Sequence, residues 1–140
     1  MNEPKRPLPR ADEYDTREFW AATKDKKLKY QQCKHCGTIV FYPRRHCTGC
    51  THGDLEWMTA SGTGTVYTYS VVRQSYHPFF RQKIPYAVAW IDLDEGPRIL
   101  SNIVGVTDPV TDIKIGMKVE VEWEEHEELN IPLFKPVGSL

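Results

Sequence analysis

Two Cys-x-x-Cys pairs are the residues of this chain whose type and spacing most clearly predict chemistry. Cys33 and Cys36 form the first pair, Cys47 and Cys50 form the second, and ten residues separate the pairs. Such a turn directs two thiolates into one small volume, and two turns supply the tetrahedral set of sulfurs that Zn²⁺ prefers. Four thiolates leave no open coordination position, so the predicted zinc, one per chain, has a structural role.

Two other uses of the cysteines stay open at this level. A thioredoxin-like redox pair follows a strand inside a βαβ unit, whereas Lys, Gly, Thr and Pro surround these pairs. Two disulfides need an oxidising compartment, but the residues that follow Met1 contain no apolar signal region. No apolar run approaches the ~18 residues of a membrane span. We therefore expect a cytoplasmic protein without membrane attachment.

Length and charge narrow the class of protein. A chain of 140 residues forms one ordinary domain, or two small domains that share a surface. Its formal net charge is −1, whereas proteins that bind nucleic acid usually carry a basic excess or stripe. We therefore expect no nucleic-acid partner, although zinc ribbons and small β-barrels both occur in such proteins.

Residues 1–28 are predicted to form a proline-containing mobile arm followed by a short helix. Asp15 or Thr16 can cap this helix, and Phe19 and Trp20 give it an apolar side. The helix either packs on its own domain and the ribbon or docks on another subunit. Tryptophan is common at interface anchors, which keeps the second interpretation open.

Residues 29–57 are predicted to form the zinc ribbon. The segment 38–42 favours a strand, which Pro43 ends, and Arg44 and Arg45 lead into the second cysteine pair. The two arginines are either a solvated turn or a contact for an anionic ligand or a partner.

Residues 58–140 are nearly all strand, so the fold class is mainly β. Short runs rich in β-branched and aromatic residues predict five strands, at 63–72, 86–93, 98–104, 118–124 and 133–137. A five-stranded Greek-key barrel of the OB type fits this order, and an SH3-like barrel is the alternative. The acidic stretch 120–128 is interpreted as a solvated strand face and a polar loop.

The segment 73–85 is a long aromatic and basic loop between the first two barrel strands. Three interpretations remain open: a lid buried on the barrel, a clasp for a ligand, or a surface buried only by a partner. Apolar walls edged by cations suit a CoA thioester, because its acyl and pantetheine parts are apolar and its phosphates are anionic. The candidate ligand residues are Arg73, Tyr76, His77, Phe79, Phe80 and Arg81.

We find no catalytic constellation in the sequence. The motifs of hydrolases, phosphate-binding loops and zinc proteases are missing. His77 lies in this aromatic and basic loop and is a weak candidate for a general base, because no second catalytic group is identifiable nearby. We therefore expect no catalytic residue and no activity from the chain alone.

An ordered set of motifs resembles the widespread acyl-CoA-associated family that combines a rubredoxin-like zinc ribbon with an OB-fold, long known as a domain of unknown function. The motifs span nearly the whole chain and are Phe19-Trp20, Cys33-Lys34-His35-Cys36-Gly37, Phe41-Tyr42-Pro43-Arg44, Cys47-Thr48-Gly49-Cys50, Gly62-Thr63-Gly64-Thr65-Val66, Ile84-Pro85-Tyr86, Leu93-Asp94-Glu95-Gly96, Ile115-Gly116-Met117 and Pro132-Leu133-Phe134.

This resemblance implies a companion subunit of thiolase-fold enzymes. Partners in the family include acyl-CoA thiolases of anaerobic aromatic degradation and thiolase-like aldolases that shorten steroid side chains. An archaeal member bridges a thiolase to hydroxymethylglutaryl-CoA synthase and helps to hold CoA. The companion itself lacks the catalytic residues.

The implied function is a non-catalytic, zinc-containing subunit that helps to assemble such a complex and to bind the acyl-CoA. Phe19, Trp20, Arg44 and Arg45 are the candidate partner contacts, and the loop 73–85 would complete the CoA pocket. A stand-alone protein that binds or shuttles acyl-CoA is the alternative.

Overall fold

Short strands are the main regular structure of the chain, whose computed structural model describes residues 4–137. Among these residues the fold is mainly β, as predicted. One helix precedes the first sheet, and a helical turn lies in the loop between the first two barrel strands. In chain order the elements are α1 (Arg17–Lys24), β1 (Leu28–Cys33), β2 (Ile39–Val40), β3 (Leu55–Ala60), β4 (Thr63–Val72), α2 (Pro78–Arg81), β5 (Tyr86–Leu93), β6 (Arg98–Ile103), β7 (Lys118–Glu125) and β8 (Asn130–Pro136).

The helix α1 packs inward, onto the chain's own core. Thr16 occupies the N-cap position, but its side chain makes no capping hydrogen bond. Glu18 in the first turn and Lys24 in the last turn match the helix dipole. Phe19, Ala22 and Thr23 are buried.

The ribbon is a three-stranded sheet with β1 in the centre, between β2 and β3. The strand predicted at 38–42 is limited to Ile39–Val40. The strand β3 pairs with all of β1, from Leu28 opposite Ala60 to Cys33 opposite Leu55. Because β3 runs to Ala60, the predicted boundary between residues 57 and 58 lies inside a strand.

The second sheet is a closed five-stranded barrel with the order β4-β5-β6-β8-β7. The predicted OB-type barrel is therefore confirmed, and each of its five strands overlaps a predicted one. Gly64 marks the closest approach of β4 to β5: a Cβ atom there would lie 2.6 Å from the carbonyl oxygen of Asp92. A larger residue at this position would force the two strands apart.

One pair of barrel strands is only partly joined. The strands β6 and β8 run parallel and share a single register pair, Ile103 with Phe134. Two residues earlier in β8, Pro132 has no N–H to donate to β6. The Ser101 hydroxyl instead donates to the Pro132 carbonyl at 2.7 Å, and the Leu100 N–H donates to the Tyr42 hydroxyl at 2.9 Å. The strands therefore diverge toward the ribbon and leave a cleft.

The two sheets share one hydrophobic core. Phe19 of α1 and Leu28 and Tyr30 of β1 belong to the same buried cluster as the barrel residues Ile91 and Phe134. A smaller cluster inside the ribbon is formed by Cys33, Val40 and Cys47. Within residues 4–137, no helix has the length and apolar character needed to span a membrane.

Candidate metal centre and ligand-facing surfaces

The four cysteine sulfurs converge on one point of the ribbon. Their Sγ atoms all lie within 4.8 Å of one another, and the Cys33–Cys50 and Cys36–Cys47 pairs are 3.5 Å apart. A tetrahedral zinc centre with Zn–S bonds of ~2.3 Å needs sulfurs roughly 3.8 Å apart. All four cysteines are free thiols, so the cluster has the composition and dimensions of a zinc site.

Two similar turns bring these thiols together. In the first, the Gly37 N–H donates to the Cys33 carbonyl at 3.0 Å, and in the second the Thr51 N–H donates to the Cys47 carbonyl at 3.0 Å. Both residues that close the turns have positive φ, +76° at Gly37 and +66° at Thr51. Glycine adopts this conformation freely, whereas threonine adopts it at a cost.

At Cys36 and Cys47, hydrogen bonds favour the thiolate form that a metal requires. The backbone N–H groups of Cys50 and Gly49 lower the pKa of Cys47, and they lie 3.4 Å and 3.2 Å from its Sγ. The hydroxyl of Thr38, 3.0 Å from the Cys36 sulfur, is the largest cause that lowers the pKa of Cys36 to about 6.

Two histidines lie on the outer side of the thiol cluster. The rings of His35 and His52 stack with centroids 3.9 Å apart. The Nδ1 atom of His52 lies 3.3 Å from the Cys50 sulfur. The stacked rings therefore contact the thiol cluster at Cys50.

The loop 73–85 contains the helical turn α2. His77 is the N-cap of this turn, and its Nδ1 accepts a hydrogen bond from the Phe79 N–H at 3.1 Å. The Arg81 guanidinium donates to the carbonyls of Ser75 and Tyr76, at 3.3 Å and 3.2 Å. His77 and Arg81, predicted as ligand contacts, thus hold the loop in shape.

The aromatic residues of the loop divide into exposed and covered ones. Tyr76 is 82 % exposed and Phe79 is 9 % exposed. Arg73 is exposed and Phe80 is half-buried. The structure therefore brings Arg73 and Tyr76 to the surface, where a ligand can reach them, and leaves only part of Phe80 accessible.

Arg6 lies in the segment that was predicted to be a mobile arm, and its side chain covers the rings of Phe79 and Phe80. Its guanidinium carbon lies 4.8 Å from the centroid of Phe79 and 5.2 Å from that of Phe80. Its Nη2 donates to Glu124 at 3.0 Å, and Glu124 also lies 2.7 Å from the Nε2 of His126. In the arm predicted for residues 1–11, Arg6 is therefore held against the barrel, and Glu124 is not a simple solvated glutamate.

The predicted partner residues have different environments. Phe19 is only 5 % exposed and lies in the main core, so it is not available to a partner; the side of α1 on which it lies faces the barrel. Trp20 is half-buried. Arg44 and Arg45 are exposed and line a polar cleft of about 450 Å³ between α1 and the ribbon. Arg45 also pairs with Asp15 at 3.0 Å.

An apolar cleft that sequence reasoning missed lies where β6 and β8 diverge. It has a volume of about 270 Å³. Its walls come from α1, the segment after β2, β6 and β8, and they include Trp20, Tyr42, Leu100, Ile131 and Leu133. Clefts at the junction of two structural units are common ligand sites. Its signal in the sequence is Pro132, the residue in β8 that cannot extend the ladder.

The fold and the thiol cluster together define a zinc-ribbon protein with a fused OB-fold barrel. One family model, described as "ChsH2, rubredoxin-like zinc ribbon domain", matches residues 20–56, and a second, "ChsH2, C-terminal OB-fold domain", matches residues 57–124. The chain therefore belongs to the ChsH2 zinc-ribbon and OB-fold family, as the motif resemblance predicted.

Relatives extend this finding. A "DUF35 domain-containing scaffold protein" of Methanocaldococcus jannaschii is 41 % identical over 69 % of this chain and 67 % of its own length. A "Probable enoyl-CoA hydratase alpha subunit" of Thermomonospora curvata is 39 % identical over 84 % of this chain, which spans only 36 % of that subunit. The "Benzoylsuccinyl-CoA thiolase subunit BbsA" of Geobacter metallireducens is 31 % identical over 58 % of this chain and 53 % of its own length.

A solved structure matches almost the whole fold. A chain of the "Ltp2-ChsH2(DUF35) aldolase" superposes with a TM-score of 0.81 at 37 % identity, and the match covers 95 % of this chain and 100 % of that chain. A DUF35-family protein of Sulfolobus solfataricus, at 18 % identity and a TM-score of 0.63, shares the fold alone.

Proposed function

We propose that this chain is a non-catalytic, zinc-containing subunit of a thiolase-fold enzyme that acts on an acyl-CoA. The observation that carries the proposal is the match over the full length of a chain of the Ltp2-ChsH2(DUF35) aldolase. The similarity to a benzoylsuccinyl-CoA thiolase subunit supports the same class of partner. Hydratase activity is not carried over, because the chain spans about a third of the hydratase subunit that it resembles.

We assign the zinc to Cys33, Cys36, Cys47 and Cys50, with one ion per chain. When bound, the ion would cross-link the two Cys-x-x-Cys turns and would not act as a Lewis acid in catalysis. The packed ribbon then holds Arg44 and Arg45 in the polar cleft beside α1. These two arginines and Trp20 are the surface residues that we propose as contacts for the partner.

The proposed ligand-binding surface is the loop 73–85 with the adjacent wall of the barrel, here called the barrel mouth. Arg73 and Tyr76 are exposed on the loop 73–85, and the apolar cleft between β6 and β8 shares Arg6 with a smaller cleft that Phe80 of this loop lines. We propose that the basic and aromatic residues of this loop contact the CoA thioester, while the partner supplies the catalytic groups.

Turnover measurements test the proposal. The chain and the thiolase-fold proteins of its own organism are purified separately and after co-expression, and acetoacetyl-CoA cleavage is measured as the probe reaction. We expect no turnover by the chain alone and a higher rate from a co-expressed pair than from the partner alone. Turnover by the chain alone would contradict the non-catalytic assignment, and CoA binding without any pair would favour the shuttle.

A charge reversal tests the partner surface. Arg44→Glu should weaken pairing, because it inverts the charge of an exposed cleft residue. Arg10→Glu is the matched control, since Arg10 is an exposed arginine outside that cleft. Equal effects of the two variants would contradict the assigned surface.

A further inference from the structure

Arg6 joins the N-terminal arm to the loop 73–85 across the barrel mouth. Its side chain is 12 % exposed although it lies in a segment without regular structure. A guanidinium is buried in this way only when charge and hydrogen-bonding partners compensate it. Here Glu124 supplies the charge and two aromatic rings supply faces.

Phe79 of this loop is buried by contacts outside the main core. Phe79 is buried, yet it lies outside both buried clusters found among residues 4–137. The groups over its ring are the Arg6 guanidinium at 4.8 Å and the Lys83 ammonium at 5.4 Å. Its ring is also 5.0 Å from that of Phe80. The burial of Phe79 thus depends on the arm, on the loop itself and on the segment 126–128, which lines a cleft with it.

Glu124, the acidic partner of Arg6, is also held by His126. Glu124 lies near the end of β7, and it accepts from Arg6 while contacting the His126 ring at 2.7 Å. Burial tends to raise the pKa of Glu124, but the hydrogen bonds from Arg6 and His126 outweigh this effect and lower it. The carboxylate therefore stays charged and holds the guanidinium against the rings.

Arg6 also lines three clefts, one of which contains Phe79 and His126. It lines the apolar cleft between β6 and β8, and it lines a smaller one beneath Phe80 and Lys83. A change in its position would therefore alter the loop and the cleft wall together.

We propose that Arg6 is a positioning residue, which sets the conformation of the loop 73–85 by clamping Phe79 and Phe80 against Glu124. The importance of this clamp for ligand binding rests on the proposed function, in which the loop contacts a CoA thioester. The clamp itself is a property of the free chain and can be measured without a ligand.

Hydrogen exchange of the full-length, zinc-loaded chain tests the clamp. The reporters are the amides of Phe79 and Arg81, which donate to His77 at 3.1 Å and 2.9 Å. In Arg6→Ala we expect them to exchange about tenfold faster, equivalent to about 1.4 kcal/mol. Arg10→Ala on the same arm, where Arg10 pairs with exposed Asp12, should leave them unchanged.

Two further variants separate positioning from general destabilisation. Glu124→Gln keeps a hydrogen-bond acceptor but removes the charge, so it should accelerate the same amides less than Arg6→Ala does. Arg6→Lys keeps the charge and should restore part of the protection. Barrel amides of β5 should not change in any of these variants. Unchanged loop amides in Arg6→Ala, or equal acceleration in loop and barrel, would overturn the proposal.

A titration with acetyl-CoA distinguishes the clamp from the ligand hypothesis. If Arg6→Ala accelerates the loop amides and lowers acetyl-CoA affinity, both stand. If the loop amides accelerate but neither protein binds acetyl-CoA, alone or with a partner, the clamp stands and the ligand role fails. If affinity is normal and the loop amides are unchanged, the clamp is overturned while the proposed function stands.

Discussion

Asn130 joins helix α1 to the barrel through three hydrogen bonds, and the two made by its side chain give the stability change expected on its removal. The side-chain Nδ2 donates to the Thr23 carbonyl at 2.9 Å, and Oδ1 accepts from the His126 N–H at 3.1 Å. The Asn130 N–H donates to the Thr23 hydroxyl at 3.1 Å. Thr23 is fully buried and Asn130 is 4 % exposed, so water cannot replace these partners.

Asn130→Ala removes the two side-chain bonds and keeps the backbone one. Each lost bond costs about 1 kcal/mol, and a buried group left without a partner costs more. We therefore expect the free energy of unfolding to fall by about 2–3 kcal/mol. For a chain of this size, this corresponds to a decrease in Tm of roughly 6–12 °C.

Urea unfolding of the zinc-loaded protein measures this change, and an unchanged m value would show that the folded state keeps its compactness. Glu128→Ala is the matched control, because Glu128 is exposed in the adjacent loop; it should change stability by less than about 0.5 kcal/mol. Asn130→Asp should be no more stable than Asn130→Ala, since it places a carboxylate beside the Thr23 carbonyl. A loss below about 0.5 kcal/mol for Asn130→Ala would refute the assigned role.

Two more results follow from the metal site and from the ion pair at Glu124. Elemental analysis should give one zinc per chain, and Cys36→Ser should lose most of it while Thr48→Ala keeps it; a metal-free wild type would contradict the site. The lowered pKa of Glu124 means that its ion pair stabilises the fold above the ordinary glutamate pKa and loses this effect as pH falls through the lowered value. The stability difference between wild type and Glu124→Gln should therefore shrink in acid; a pH-independent difference would contradict this assignment.

Local patterns carried the predictions that succeeded. The ribbon follows from two short cysteine spacings, and period-two alternation around Val119, Val121 and Trp123 located β7. These signals lie within a few residues of the elements that they specify. The OB-type strand order followed from the number and length of the strands.

The features that the sequence did not predict depend on contacts between distant residues. Arg6 and Glu124 are 118 positions apart, and Thr23 and Asn130 are 107 apart. Nothing in a proline-containing arm indicates that one arginine is buried. Phe19 was named as a candidate partner contact because the apolar side of an isolated helix fits either a core or a partner, and the structure buries it in the core. The cleft depends on how far β6 and β8 diverge, and periodicity does not report this.

The most direct test of the assigned role as a companion subunit is the mass of the particle that it forms. The chain is co-expressed with a thiolase-fold protein of its own organism, and the zinc-loaded product is analysed by size-exclusion chromatography with light scattering. We expect one species that contains both chains and whose mass exceeds that of either alone. Two separate peaks, each with the mass of one protein, for every thiolase-fold protein of that organism would contradict this role.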